Sequence, residues 1–137
     1  MEKDSRGLCE SFTLYYCMKT RKQKQVYTVV FLRTLDLIKL FHWNTKDYSK
    51  HKATDELHGS LSKLVDSYVE KHFGESTRIA AHETVRYDTL TDDAFLKEIQ
   101  RFKEYLIHMK QPSTDLSNIR DEMLGEVNQF LYLWTLQ

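Results

Sequence analysis

The chain has 137 residues, 20 basic and 20 acidic side chains, and 41% hydrophobic residues. This composition is typical of one globular domain with a substantial core, and four glycines with one proline disfavour a turn-rich β-fold. The balanced charge excludes a broad positive field for nucleic acid over the whole body. No apolar run approaches the roughly 18 residues of a membrane span.

Residues 1–25 show no hydrophobic period and predict a flexible arm ahead of a helical domain over residues 26–137. The arm contains a short basic run: Lys19, Arg21, Lys22 and Lys24. Such a run is either a solubilising tail or a contact to nucleic acid, and we expect the two with equal weight.

The two cysteines, Cys9 and Cys17, have no metal-site spacing and imply no disulfide framework. The start of the chain also lacks the long apolar segment of a signal peptide. We therefore expect a cytoplasmic protein, or one associated with a nucleoid or a virion.

From Val26 onward, apolar residues recur at helical spacing and predict four helices. The first covers about residues 26–44 and the second about 48–73, with Asn44, Thr45 or Asp47 as N-cap candidates. Gly74 is the expected stop of the second helix.

A longer connection over residues 75–91 precedes the third predicted helix, which Thr91 or Asp92 would cap and Pro112 would close. The fourth helix is predicted over about residues 114–136. Two pairs of helices joined by one longer connection predict an all-α four-helix bundle.

The second helix carries a row of histidine and carboxylate side chains. On a helical wheel at about 100° per residue, His51, Asp55, Asp66 and Glu70 share one sector of roughly 100°. The apolar stripe lies almost opposite and contains Leu57, Leu61, Leu64 and Tyr68. The polar row therefore points away from the bundle core, toward solvent or an interface.

Helix length divides this row into two half-sites. The pair His51 and Asp55 lies 11 residues, or roughly 16 Å of helix rise, from the pair Asp66 and Glu70. One metal ion cannot join both pairs within one chain, since metal–ligand bonds are about 2 Å. Two antiparallel copies of the helix around a two-fold axis would bring the pairs together.

His42 lies in the last turn of the first helix, across a short reversal from His51. Two imidazoles with carboxylates suit iron, manganese or zinc. Taken singly, each residue is more often a solvated surface group. The like-charged pair Asp66 and Glu70, however, costs roughly 0.2–0.5 kcal/mol at i,i+4 spacing unless a cation compensates.

The residues FHWNTK, followed by His51, Asp55, Asp66 and Glu70, resemble the Dps-like branch of the ferritin-like superfamily. That family has His-Trp-Asn at the end of its first long helix, then His-x3-Asp and Asp-x3-Glu along the second. Here the turn between the two histidines is three residues shorter. Residues 115–136 resemble a short ferritin-like variant of phages and large DNA viruses.

The resemblance implies a ferritin-like bundle in which His42, His51 and Asp55 of one subunit bind iron with Asp66 and Glu70 of its two-fold mate. Trp43 would be an electron donor beside the iron, or alternatively a packing residue of the dimer interface. Three further polar side chains near the start of the fourth helix could be ligands, or could complement the helix dipole: Asn118, Asp121 and Glu122.

Members of that group oxidise Fe(II) with peroxide or dioxygen, store ferric mineral in a hollow homo-oligomeric shell and limit oxidative damage. Some bind DNA through basic tails. The resemblance therefore predicts a ferroxidase and iron-sequestering protein. Two other functions stay open, a nucleic-acid-binding or packaging protein that uses the arm, and a metal-free structural bundle.

Overall fold

A computed structural model describes residues 26–76, 78, 85–111 and 113–136, and these residues contain no β-strand. They form four helices: α1 Tyr27–Asn44, α2 Tyr48–Glu75, α3 Asp92–His108 and α4 Thr114–Trp134. The predicted all-α class and its four helices are confirmed. The predicted arm over residues 1–25 lies outside the described residues. No helix in the described part of the chain is long and apolar enough to cross a membrane.

Side-chain caps begin α2 and α3. The Asp47 carboxylate accepts hydrogen bonds from the backbone N–H groups of Ser49 and Lys50. The Thr91 hydroxyl accepts one from the N–H of Ala94. Each cap satisfies N–H groups that have no partner within the helix, and both residues were among the predicted caps.

The helix ends differ from the prediction by one or two residues. Helix α2 continues through Gly74 to Glu75, and the N–H of Ser76 bonds to the carbonyl of His72. The predicted stop at Gly74 is therefore one residue early. Helix α4 ends at Trp134 rather than at 136, and Pro112, predicted to close α3, lies outside the described residues.

Aromatic contacts and one ion pair define the end of the bundle where α1 and α4 finish and α2 and α3 begin. The ring of Phe41 stacks on that of Phe95 at 4.1 Å and lies 5.6 Å from that of Trp134. Lys50 Nζ lies 2.6 Å from Asp92 Oδ2. We call this end the upper end.

Hydrogen bonds define the opposite, lower end. The Tyr68 hydroxyl donates to Gln111 Oε1, and the Ser113 hydroxyl donates to Glu75. Helices α2 and α3 therefore run in the same direction, and the connection between Glu75 and Asp92 must travel the length of the bundle, about 40 Å for a helix like α2.

The connection passes α1, since the Tyr87 hydroxyl donates to Asp36 Oδ2 at 2.6 Å. Each helix packs mainly against two others, in the pairs α1–α2, α1–α3, α2–α4 and α3–α4. The architecture is a four-helix bundle with one long crossover.

Aliphatic and aromatic side chains from all four helices fill the interior. Leu57, Leu61 and Tyr68 are buried as predicted, whereas Leu64 is half-buried and Val65 takes its place in the core. The interior also contains an ion pair, in which Arg33 Nη1 donates to Glu98 Oε2 at 3.0 Å. Both side chains are about 95% buried.

Candidate metal half-sites on the outer face of α1 and α2

His42 and His51 face each other across the short turn between α1 and α2. His42 is buried and His51 is half-buried. Their rings stack with centroids 3.9 Å apart and an interplanar angle of 20°. The reversal at residues 45–47, which ends at the Asp47 cap, brings the two rings together.

The two histidines hold each other through reciprocal hydrogen bonds. His42 Nδ1 lies 2.9 Å from the backbone carbonyl of His51, and His51 Nδ1 lies 2.9 Å from the carbonyl of His42. Because a carbonyl oxygen can only accept, each Nδ1 carries the hydrogen. In the neutral imidazole this leaves a lone pair on each Nε2, the tautomer and orientation that metal-binding histidines require.

The stacking also determines how these nitrogens can be used. A metal–imidazole bond lies in the plane of the ring and is about 2 Å long. An ion in the plane of one ring therefore cannot lie in the nearly parallel plane of the other. The pair offers two neighbouring ligand positions rather than two ligands for one ion.

Asp55 lies beside this pair, one turn along α2 from His51. Its Oδ1 is 3.8 Å from His42 Nε2 and 3.6 Å from Lys39 Nζ. The carboxylate is 53% exposed, so it can turn toward an incoming ion. His42, His51 and Asp55 are thus neighbours, and we call these three residues the first half-site; that they bind a metal stays a prediction.

Lys39 was missed in the sequence. It lies three residues before His42 on α1, a spacing that places both side chains on one helix face. Its ammonium group compensates the charge of Asp55. The i−3 spacing was a usable signal, but the sequence did not show that the lysine would reach across to α2.

His58 lies near the same face and is half-buried. Burial lowers its pKa, and the positive charge of Lys39 lowers it further, whereas the carboxylates of Asp55 and Asp36 act in the opposite direction. A lowered pKa favours the neutral imidazole, which is the form that binds metals. The link between His58 and Asp55 of the first half-site is therefore electrostatic.

Asp66 and Glu70 form the second half-site, farther along α2. Both are exposed, and neither has an ion pair or a hydrogen bond with the residues that the structure describes. They are thus charged groups on an open helix face, without the ordering contacts of the first half-site.

One chain does not assemble a complete metal site. Across the described ranges, no three or more His, Cys, Asp or Glu side chains converge closely enough to hold an ion. The completion of each half-site by a two-fold mate stays a prediction.

Trp43 follows His42 directly and is 67% exposed. Its position next to the first half-site suits either of its predicted roles. Among the further candidates on α4, Asn118 and Glu122 are exposed, and Asp121 accepts a hydrogen bond from Arg120 Nε at 2.7 Å. The structure brings none of these three to a half-site of the same chain. The basic run that begins at Lys19 lies outside the described residues.

Comparison with known proteins identifies the family. Residues 42–134 match a family of unknown function, DUF5856. The chain is also 31% identical over 98 residues to the uncharacterized 14.6 kDa protein in the mobD–ri intergenic region of Enterobacteria phage T4, an alignment that covers 70% of this chain and 75% of the phage protein. No solved structure matches. The chain belongs to the DUF5856 family.

Proposed function

We propose that this member of DUF5856 is a Dps-like ferroxidase and iron-sequestering protein that oxidises Fe(II) at sites between two-fold-related subunits. The observation that carries the proposal is the reciprocal hydrogen bonding of His42 and His51. It leaves two neighbouring Nε2 lone pairs beside the Asp55 carboxylate. A pair of solvated surface histidines does not require this arrangement.

The fold supports the same proposal. Ferritin-like bundles have one long crossover connection among their four helices, and the connection between α2 and α3 has that path. In this chain apolar side chains and the ion pair of Arg33 with Glu98 occupy the interior, so the buried carboxylate of Glu98 is already engaged. The outer face of α1 and α2 is the better location for iron.

Two copies of α2 in antiparallel contact complete the ligand set. The pairs are about 16 Å apart along one helix. A two-fold axis between them therefore places the first half-site of each copy beside Asp66 and Glu70 of the other. An iron cation bound there compensates the like charges of these two carboxylates.

The chemistry follows from the ligands. Imidazole and carboxylate groups bind Fe(II), and carboxylates favour the Fe(III) product because of their charge. Two neighbouring positions let two Fe(II) ions each give one electron to one peroxide molecule, which takes up two protons and leaves as two waters. Paired oxidation releases no hydroxyl radical, and ferric product can then be stored within a larger homo-oligomeric shell.

Anaerobic Fe(II) titration, followed by oxidant and by light scattering, tests the proposal. We expect saturable binding and a particle no smaller than a dimer. Asp66→Ala/Glu70→Ala should lose both binding and fast oxidation. The matched control is Asp88→Ala/Asp93→Ala, which removes the same charge from exposed acids elsewhere. A monomer without saturable binding would overturn the proposal.

Subunit mixing tests the shared site directly. Asp66→Ala/Glu70→Ala and His42→Ala/His51→Ala are each expected to be inactive. In an equal co-expression, half of the dimers contain both variants and have one intact site of two, so about one quarter of the wild-type rate should return. Recovery would exclude a site within one chain, and no recovery from well-formed dimers would contradict the inter-subunit arrangement.

A further inference from the structure

A tyrosine–histidine pair lies at the lower end of the bundle, away from the first half-site. The Tyr27 hydroxyl is 2.8 Å from His72 Nδ1, and only 7% of Tyr27 is exposed. The two residues join the start of α1 to the last turn of α2. No hydrophobic period or metal-site pattern in the sequence relates them.

The proton of this hydrogen bond belongs to the tyrosine. Burial raises the pKa of Tyr27, so the phenol is neutral at ordinary pH. Within the described part of the chain, the phenol has no acceptor other than His72. It therefore donates to Nδ1, which offers the lone pair of a base. The other neighbour of Nδ1 is the Ser76 hydroxyl at 3.4 Å, which donates its own hydrogen to the carbonyl of His72.

Tyr68 is a built-in comparison, since its ring centroid lies 5.6 Å from that of Tyr27. Its hydroxyl donates to the side-chain amide oxygen of Gln111 at 2.5 Å, and burial raises its pKa to about 12. An amide oxygen accepts a hydrogen bond but is too weak a base to take the proton. Imidazole can take it.

This difference matters for oxidation, because a phenol that loses an electron becomes a strong acid and must pass on its proton. Tyr27 has a base in place at hydrogen-bond distance, whereas Tyr68 does not. The rings of Phe31 and Tyr68 pack edge-on against Tyr27. They shield a phenoxyl radical from solvent and from other chains.

We propose that Tyr27 and His72 form a one-electron redox site that quenches strongly oxidising radicals. In this reaction the Tyr27 phenol gives one electron to a hydroxyl radical, which becomes hydroxide. The phenolic proton moves to His72 Nδ1, which leaves a neutral phenoxyl radical hydrogen-bonded to an imidazolium. A later one-electron reductant, such as Fe(II), restores the phenol when the imidazolium returns the proton.

This inference rests on the proposed function for the source of the radical. A single Fe(II) ion that reacts with peroxide yields Fe(III), hydroxide and a hydroxyl radical. The pair is close to the second half-site along the chain, because His72 follows Glu70 by two residues. The side chains of His72 and Glu70 lie on different sides of α2, so they are separated by about the diameter of one helix, roughly 10 Å.

The test generates radicals without iron, so that it does not depend on metal binding. Azide radicals from pulse radiolysis oxidise tyrosine and tryptophan, and freeze-quenched samples are read by electron paramagnetic resonance with ring-deuterated tyrosine for assignment. Wild-type protein should give a persistent tyrosyl signal. Tyr27→Phe and His72→Gln should lose most of it, whereas Tyr68→Phe should retain it.

Circular dichroism first establishes that each variant is folded. An unchanged signal in Tyr27→Phe, or an equal loss in Tyr68→Phe, would overturn the proposal. A second arm repeats the comparison with Fe(II) and peroxide. If the radical forms under radiolysis but not with iron, the redox pair stands and the proposed iron chemistry fails.

Discussion

The interior of the bundle and the outer face of α1 and α2 both carry charged groups, but they use them differently. In the interior, Arg33 and Glu98 are buried and paired at 3.0 Å. On the outer face, His42 and His51 are ordered by backbone carbonyls through Nδ1, and Asp55 Oδ1 lies 3.8 Å from His42 Nε2. The interior pair is complete in one chain, whereas the outer groups are proposed to become ligands only when a second chain joins them.

This difference indicates where chemistry can occur. Bundle interiors are common locations for metal sites, but here the buried carboxylate of Glu98 is already engaged by Arg33 and Arg101. The outer face offers bases and carboxylates but lacks a closed coordination sphere within the residues that the structure describes. Function at that face would therefore depend on assembly, which the interior does not need.

The largest effect, on the free energy of unfolding, is expected for Glu98→Ala. Glu98 pairs with Arg33 and also with Arg101 Nη1 at 3.2 Å, so its removal breaks both contacts. Removal of one partner from a buried ion pair typically costs about 3–5 kcal/mol of unfolding free energy. Urea unfolding measures this loss. Glu104→Ala, an exposed acid on the same helix, should change stability by less than about 0.5 kcal/mol.

The same variant tests the comparison itself. Folded Glu98→Ala protein should bind as much Fe(II) per chain as the wild type, since the proposed ligands lie elsewhere. Loss of iron binding by a protein that is still folded would place the metal in the interior and break the distinction between the two regions.

The sequence predicted the helices well because their signals are local. Capping by Asp47 and Thr91 depends on residues within three positions along the chain. Val65 lies in the core in place of the predicted Leu64, and this shows the limit of the sequence prediction. An apolar stripe drawn at fixed steps loses phase along a helix of 28 residues.

The site was only partly predictable. The spacing of the histidines and acids along α2 was visible, and so was the outward direction of Asp66 and Glu70. The reciprocal hydrogen bonds and the reach of Lys39 depend on rotamers, which no spacing reports. The pairs Arg33–Glu98 and Tyr27–His72 join residues 65 and 45 positions apart, so only the packing of the helices reveals them.

A smaller effect, on the affinity for Fe(II), is expected for Lys39→Met, which removes the cation that lies 3.6 Å from Asp55. Ion pairs this exposed contribute about 0.2–1 kcal/mol, so the affinity for Fe(II) should rise by no more than about five-fold. Anaerobic titration measures the change. Lys97→Met on α3 is the matched control and should have no effect, and a fall in affinity with Lys39→Met would show that the lysine supports the site rather than competing with the ion.

The smallest effect on Fe(II) binding is expected for Asp47→Ala, at the start of the helix that carries both half-sites. Hydrogen bonds from the Ser49 hydroxyl and from the N–H of Lys50 lower the pKa of Asp47. A lowered pKa in the folded state means that this carboxylate stabilises the protein above its ordinary pKa. That contribution is lost as the pH falls through the lowered value.

The difference in unfolding free energy between wild type and Asp47→Ala should therefore shrink in acid. The difference for Thr91→Ala should stay constant, because the threonine hydroxyl that caps α3 does not titrate. Fraying of the first turn also loosens His51, whose N–H bonds to the carbonyl of Asp47 at 2.9 Å. Asp47→Ala should thus weaken Fe(II) binding slightly while Thr91→Ala leaves it unchanged, and equal effects of the two caps would mean that the order of α2 does not position the first half-site.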